Sequence, residues 1–318
     1  MYDLVKEVLQ GSVRATARLI SLVENEPESV FELMSSIYPH TGRAYVVGIT
    51  GSPGTGKSSL TDRIVGVLRQ RGLTVGVIAI DPSSPFTGGA LLGDRIRMQG
   101  WANDPGVFIR SMATRGHLGG LARATGDTIK VMDASGKDWI VIETVGVGQD
   151  EVDIANTADT TLLILAPGLG DAIQTMKAGI MEIADLYVIN KADLLGADHL
   201  QMEVRQRVEQ DSQIRPRDWQ PPVLCTVALE DRGTVELVDA MERHRRFLEQ
   251  SGKLNSVRRE RTKQETLSLL REEVSRIILE RILGNGRFDA LIDEIISRKK
   301  DPYTSVQEII ESLFPQHG

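Results

Sequence analysis

Eight residues, Gly51-Ser52-Pro53-Gly54-Thr55-Gly56-Lys57-Ser58, stand between an apolar run over 44–50 (AYVVGIT) and an amphipathic stretch over 57–71. The order Gly, four residues, Gly, Lys and Ser is the pattern of a phosphate-cradling loop, and it requires a strand before it and a helix after it. Each residue type has a physical reason. The glycines let successive backbone N–H groups turn inward around phosphate oxygens, and the helix that follows points its positive end at them. Lys57, with Ser58 and Ser59 behind it, adds a cation for the outer phosphates and a hydroxyl for Mg²⁺. A chain holding this loop must run strand, loop, helix in series, the unit from which a doubly wound sheet is assembled. A bound nucleoside triphosphate is the implied ligand.

The rest of the middle of the chain repeats that unit. Runs at 74–81 (TVGVIAID), 138–143 (DWIVIE), 160–166 (TTLLILA), 186–190 (LYVIN) and 222–227 (PPVLCTV) are apolar without alternation, as in strands buried on both faces of a parallel sheet. Helical stretches near 57–71, 119–135, 172–181, 199–210 and 233–250 fall between or after them. The expected fold class is α/β, a mainly parallel doubly wound sheet flanked by helices over 41–250, with ligands at the carboxyl ends of the strands. Residues 1–40 read as an amino-terminal helical extension, with Leu4, Val8, Leu9 and Val13, then Ala17, Leu19, Ile20 and Val23, at helical spacing and a break at Pro27. Residues 251–318 contain no strand. Leu267, Leu270, Val274, Ile277, Ile278 and Ile282 form one stripe; Phe288, Leu291, Ile292, Ile295 and Ile296 a second; Val306, Ile309, Ile310 and Leu313 a third. Such stripes must be covered by the main domain or by a second copy of the chain, and a dimerisation arm is the expected reading.

Composition removes other classes. The 318 residues carry 37 Lys and Arg against 44 Asp and Glu, a net −7, which argues against nonspecific binding to nucleic acid or anionic lipid. One cysteine, Cys225, precludes an intramolecular disulfide and a cysteine-built metal site. The start MYDLVKEVLQ lacks the apolar core of a secretory signal, and no apolar run approaches the roughly 20 residues of a membrane span. No membrane partner and a cytoplasmic location are the expectations.

The base and the metal have their own candidates. Asn190-Lys191-Ala192-Asp193 follows an apolar run, and a carboxylate at Asp193 matches the N1–H and amine donors of guanine but leaves an unpaired acceptor against adenine. Val227, Ala228 and Leu229 follow the next apolar run and resemble the short Ser-Ala-like loop that GTPases place there, whose backbone meets the guanine carbonyl, with Val227 where Ser is usual. Asp81, Asp94 and Glu143 sit at or near strand ends, where hard carboxylate oxygens suit Mg²⁺ beside Ser58; singly, each is an ordinary loop carboxylate. In Glu143-Thr144-Val145-Gly146 the Gly146 N–H is placed to sense a γ-phosphate. Val147 then replaces a water-orienting Gln, so slow intrinsic hydrolysis is expected, with Gln149, a switch residue or a partner supplying the missing group. Lys57, Asp94, Glu143 and Gln149 are the catalytic candidates. Arg95, Arg97 and Arg115 are candidates to stabilise transition-state charge and His117 a candidate base, but each arginine reads first as a solvated or structural side chain, and without geometry His117 is not taken as a base.

Taken together, GSPGTGKSS, DPSSPFTGGALLGDRIRM, ETVGVGQDE, APGLGDAIQTMKAGIMEIAD and NKAD, in this order and spacing, resemble the MeaB/ArgK-type GTPases, the family of methylmalonyl-CoA mutase-associated GTPases and the methylmalonic aciduria type A protein. The resemblance runs from about Tyr45 to Val227. It implies a P-loop NTPase fold, a GTP/GDP and Mg²⁺ site, and a carboxyl-terminal homodimerisation arm. It implies phosphate contacts from residues 51–59, magnesium-shell roles for Ser58, Asp81, Asp94 and Glu143, and base recognition by Asn190, Lys191 and Asp193. Residues 169–177 become a further switch, with Asp171 and Lys177 as polar contacts. The implied work is that of a GTPase chaperone which gates adenosylcobalamin loading of an acyl-CoA mutase, methylmalonyl-CoA mutase first, and protects it. Two alternatives remain: a nickel-delivery GTPase of the hydrogenase-maturation type, against which one Cys and five scattered His weigh, and an amino-acid transport-associated kinase, which would need an acceptor pocket and a base.

Overall fold

The computed structural model describes residues 2–25, 27–81, 98–101, 103–113, 120–144, 154, 156–168, 180–214, 218–283 and 287–313. Two compact units divide the chain, Met1–Arg258 and Arg259–Gly318. Asp94, Gly146, Gln149, Arg95, Arg97, Arg115, His117 and the segment 169–177 lie outside the described residues.

Seven strands form the first unit's sheet: β1 (Tyr45–Thr50), β2 (Val75–Asp81), β3 (Val107–Ala113), β4 (Trp139–Glu143), β5 (Thr160–Leu165), β6 (Leu186–Asn190) and β7 (Val223–Thr226). Their order is β3-β2-β4-β1-β5-β6-β7, and every pairing is parallel. Six of the seven coincide with the apolar runs of the sequence. The exception is β3 (VFIRSMA), an edge strand broken by Arg110 and Ser111. Arg110 donates to the Glu24 carboxylate and Ser21 hydroxyl of the helix over residues 13–25.

Helices cover both faces. On one, α4 (Lys57–Gln70) and α7 (Thr234–Gln250) pack Leu60, Ile64, Leu68, Leu237 and Met241 against Val47, Ile49, Val77, Val141, Leu162 and Val188. On the other lie α1 (Tyr2–Leu9), α2 (Val13–Asn25), α3 (Pro27–Ile37) and α5 (Gly120–Ala134). Val8, Leu19, Ile20, Leu33 and Ile37 bury there with Val131 and Met132 against Val46, Ile78, Phe108 and Ile142. The amino-terminal helices therefore complete the core of the first unit. α6 (Ala197–Ile214) seals the β5–β6 end through Leu200 and Val204.

Buried polar groups lock the amino ends of the strands. The Asp159 carboxylate accepts from the Val46 N–H and from Nε and Nη2 of Arg258 at 3.2 and 2.7 Å, a two-pronged pair, while Arg258 also donates to the Gly42 and Ala44 carbonyls. Beside it Tyr45, Thr160 and His244 form a hydrogen-bonded chain, 2.5 Å from the Tyr45 hydroxyl to Thr160 Oγ1 and 2.8 Å from there to His244 Nδ1. Arg258 belongs to α8 (Lys253–Leu283), which runs on into the second unit.

The second unit contains the remainder of α8 with α9 (Arg287–Ile296) and α10 (Pro302–Leu313). Asp301 caps α10, its Oδ1 accepting from the Tyr303 and Thr304 N–H groups at 2.9 Å. Leu270, Val274, Ile277, Ile292, Ile296, Val306 and Ile310 of the apolar stripes are exposed. Among the described residues no helix is long and apolar enough to cross a membrane.

His244 makes acid stability testable. It is 2% exposed, and burial pushes its imidazole down to about 4, the Asp159 charge pulling the other way. The ring is thus neutral at neutral pH, and its 3.6 Å approach to Asp185 is no ion pair. The unfolded chain, with His near 6.5, binds the extra proton between those values, so this contribution is fully present above about pH 6.5 and is lost as pH falls toward 4. The shift corresponds to roughly 3 kcal/mol. Urea unfolding at pH about 7 and about 4.5 should show a smaller pH-dependent loss in His244→Gln than in the parent; equal losses would refute the assignment.

Candidate nucleotide-binding site

The loop after β1 is built as its sequence requires. Gly51 adopts φ +141°, and a Cβ there would fall on the Ile164 carbonyl oxygen of β5. Gly56 caps α4 in the left-handed region at φ +90°, and its Cβ would fall on the Asn190 amide nitrogen. Two different neighbours thus exclude side chains at the two ends of the loop. Lys57, 6% exposed, donates from Nζ to the Gly51 and Ser52 carbonyls at 2.6 and 3.1 Å. Those bonds hold the amine against its own loop at the start of α4, where helix end and cation both favour anions.

Glu143 ends β4, paired in register with Ile49 of β1 and Ala79 of β2. It is 4% exposed, and its Oε1 accepts from the Ser58 hydroxyl at 2.5 Å. This pair of hard oxygen donors fits Mg²⁺, which takes such ligands and keeps the rest of its shell as water or phosphate oxygen. Asp81 closes β2 at the same carboxyl edge of the sheet, two residues beyond Ala79. Among the described residues no cluster of three or more His, Cys, Asp or Glu is placed to hold a metal by itself.

The base end is joined to the phosphate end through Asn190. Its amide nitrogen donates to the Thr55 carbonyl at 2.8 Å, and its Oδ1 accepts from Thr226 Oγ1 at 3.1 Å and the Ala228 N–H at 3.2 Å. At 2% exposure it is a buried tie among three loops. Lys191, at φ +58°, reaches back to the Gly54 carbonyl at 2.7 Å. Val227 pairs with Arg232 in an isolated antiparallel bridge that closes the turn after β7.

One cleft of about 600 Å³ results, lined by Pro53, Gly54, Gly56, Lys57, Ser58, Ser59, Glu143, Asn190, Lys191, Asp193, Val227, Ala228 and Leu229. Gly51, Ser52 and Thr55 form the rest of the loop that frames it, Ser52 and Thr55 being buried. Sequence reasoning missed Thr144, Leu194 and Glu230 on the lining. Each directly follows a named residue, Glu143, Asp193 and Leu229, so extending each segment by one position would have found all three.

A central strand, phosphate loop and helix in an all-parallel sheet, with a serine–acid pair and an Asn-Lys-Ala-Asp turn on one cleft, define a P-loop nucleotide hydrolase of the GTPase class. A family model for the methylmalonyl Co-A mutase-associated GTPase MeaB matches residues 16–282, and the chain belongs to that family of GTPases. It is 53% identical over 315 residues to a protein of Pyrococcus abyssi (strain GE5 / Orsay), covering 98% of this chain and 96% of that one. To GTPase ArgK of Escherichia coli (strain K12) it is 34% identical over 325 residues, covering 98% and 96%. The crystal structure of an LAO/AO transport system kinase is similar with a TM-score of 0.70 and 29% identity, over 98% of this chain and 97% of that one.

Gly56→Ala should abolish guanine nucleotide binding without unfolding the sheet, because strain and collision fall together on the capping residue and on Asn190. Titration with a fluorescent GDP beside a circular dichroism melt checks it; retained binding at the parent's affinity would contradict the geometry.

Proposed function

We propose that the cleft holds GTP with its phosphates over residues 51–59 and its base between the Asp193 turn and the turn at Val227, Ala228 and Leu229. The observation that carries this reading is the Asn190 tie, which sets a carboxylate-bearing turn and a backbone turn at a fixed distance from a phosphate loop. Asp193 would accept from guanine N1–H and the exocyclic amine; an adenine there leaves the carboxylate unmatched. Ser58 and Glu143, with Asp81 and Asp94 as further carboxylates, would hold Mg²⁺, which when bound neutralises phosphate charge. Lys57 supplies fixed positive charge beside the outer phosphates. Gly146 and Gln149 are proposed for γ-phosphate sensing and water placement.

We further propose that this GTPase acts as a chaperone of an adenosylcobalamin-dependent acyl-CoA mutase, methylmalonyl-CoA mutase first, with nucleotide state gating cofactor loading. The family description supports the mutase link. The exposed stripes of α8, α9 and α10 support pairing with a second copy of the chain, since apolar faces of this extent need cover. We place the three segments at 1–40, 41–250 and 251–318 as extension, GTPase domain and dimerisation arm, acting in the cytoplasm.

The deciding measurement is GTP hydrolysis by the purified chain, alone and with the adenosylcobalamin-dependent acyl-CoA mutase of the same source. Marked stimulation by the mutase is expected, and none would remove the chaperone reading while leaving the GTPase. Lys57→Ala should abolish tight GTP binding, and Asp193→Asn should weaken the preference for guanine; unchanged affinities would overturn the site assignment.

A further inference from the structure

Asn190 holds only one side of the turn after β7. The other side is held from α4, by a residue outside the phosphate-loop pattern and the Asn-Lys-Ala-Asp turn. Arg63, six residues after Lys57, donates from Nε to the Ala228 carbonyl at 3.0 Å. Both backbone polar groups of buried Ala228 are therefore engaged from outside the turn, the N–H by Asn190 and the C=O by Arg63, the C=O also accepting from the Asp231 N–H within the turn at 3.4 Å. The helix behind Arg63 is itself anchored. Asp62 accepts from the Trp101 indole N–H at 2.8 Å, and Arg69 grips Asp104 through two bonds of 2.9 Å. The turn is short and closed by the Val227–Arg232 bridge, so a tether at Ala228 sets the orientation of the whole turn against the cleft.

We infer that Arg63 is a positioning residue for the base: through the Ala228 carbonyl it aims the turn of Val227, Ala228 and Leu229 at the carbonyl oxygen of guanine. This rests on the guanine reading of the cleft. Arg63 touches neither nucleotide nor reacting atoms; it acts through Ala228. Its bonds complete a ring that runs from Thr55 through Asn190 and Ala228 to Arg63 and back along α4 to the phosphate loop. Without the donor the buried Ala228 carbonyl keeps only the longer 3.4 Å bond from the Asp231 N–H of its own turn, and the turn is tied to the rest of the site from the Asn190 side alone, so guanine oxygen recognition weakens while the amine contact at Asp193 stays.

Two variants of the full chain separate this role from packing. Arg63→Met keeps an unbranched apolar stem and removes the donor. Arg63→Gln places an N–H at the same number of bonds from Cα as arginine Nε. The probes are GDP, the inosine diphosphate that lacks the amine, and the 2-aminopurine riboside diphosphate that lacks the carbonyl oxygen and, with it, the N1–H assigned to Asp193; the N1–H part of that preference is common to parent and Arg63 variants, so a change between them reads the oxygen. Arg63→Met should release GDP on the order of three- to tenfold faster, the range of one net hydrogen bond, with KM for GTP raised by a similar factor and kcat unchanged. Its preference for GDP over the 2-aminopurine nucleotide should shrink while that over inosine diphosphate holds, and Arg63→Gln should recover most of both losses. GDP release within twofold of the parent in Arg63→Met overturns the inference, as does an equal loss for all three nucleotides that Arg63→Gln does not restore. Asp193→Asn serves as the separate control. If it leaves the preference for GDP over inosine diphosphate intact, the guanine site itself is wrong and this inference falls with it; if it narrows that preference while Arg63→Met changes nothing, Arg63 alone is wrong.

Discussion

The side chain of Asn190 is the constraint on which the site depends. A primary amide offers donors on one end and an acceptor on the other, and here both ends are used, toward the Thr55 carbonyl and toward Thr226 and Ala228. Three segments widely separated in sequence thereby share one buried residue. Aspartate at that position would present two acceptors to a carbonyl, and an apolar residue would strand buried polar groups on all three loops. The close approach of Asn190 to Gly56 also explains why the loop cannot carry a side chain there.

The two ends of the sheet do different work with polar groups. At the amino ends, Asp159, Arg258, Asp133, Tyr45, Thr160 and His244 satisfy one another and the backbone, which locks the strands and the first turns of α8. At the carboxyl ends, Lys57, Ser58 and Glu143 line an open cleft. At the amino edge the fully buried Asp159 is paired with Arg258, and such a pair is costly to break by removing one member.

Much of this was legible in the residues. Strands buried on both faces need continuous apolar runs, so β1, β2, β4, β5 and β6 announce themselves; β7, the half-exposed strand at one edge, still carries such a run, whereas β3 at the other edge hides because Arg110 and Ser111 interrupt it. The phosphate loop is readable because its glycines answer to backbone geometry and its Lys and Ser to phosphate and metal chemistry, all within eight residues. Arg63 was not readable. An arginine on an amphipathic helix looks like any solvated charge until the partner turn, 165 residues away in sequence, is brought to it.

By itself the sequence determined the local units, strand then loop then helix, and the residue types able to meet phosphate, magnesium and guanine, because those demands act within a few consecutive positions. The tertiary structure decided which units are neighbours. Strand order put β4 beside β1, so that Glu143 meets Ser58, and β6 beside β7, so that Asn190 meets Thr226 and Ala228. It also assigned α1, α2 and α3 to one face of the sheet, where their apolar stripes complete the core. Contacts of that kind depend on burial summed over the whole unit and on the partners it brings together, and no short stretch of sequence contains them.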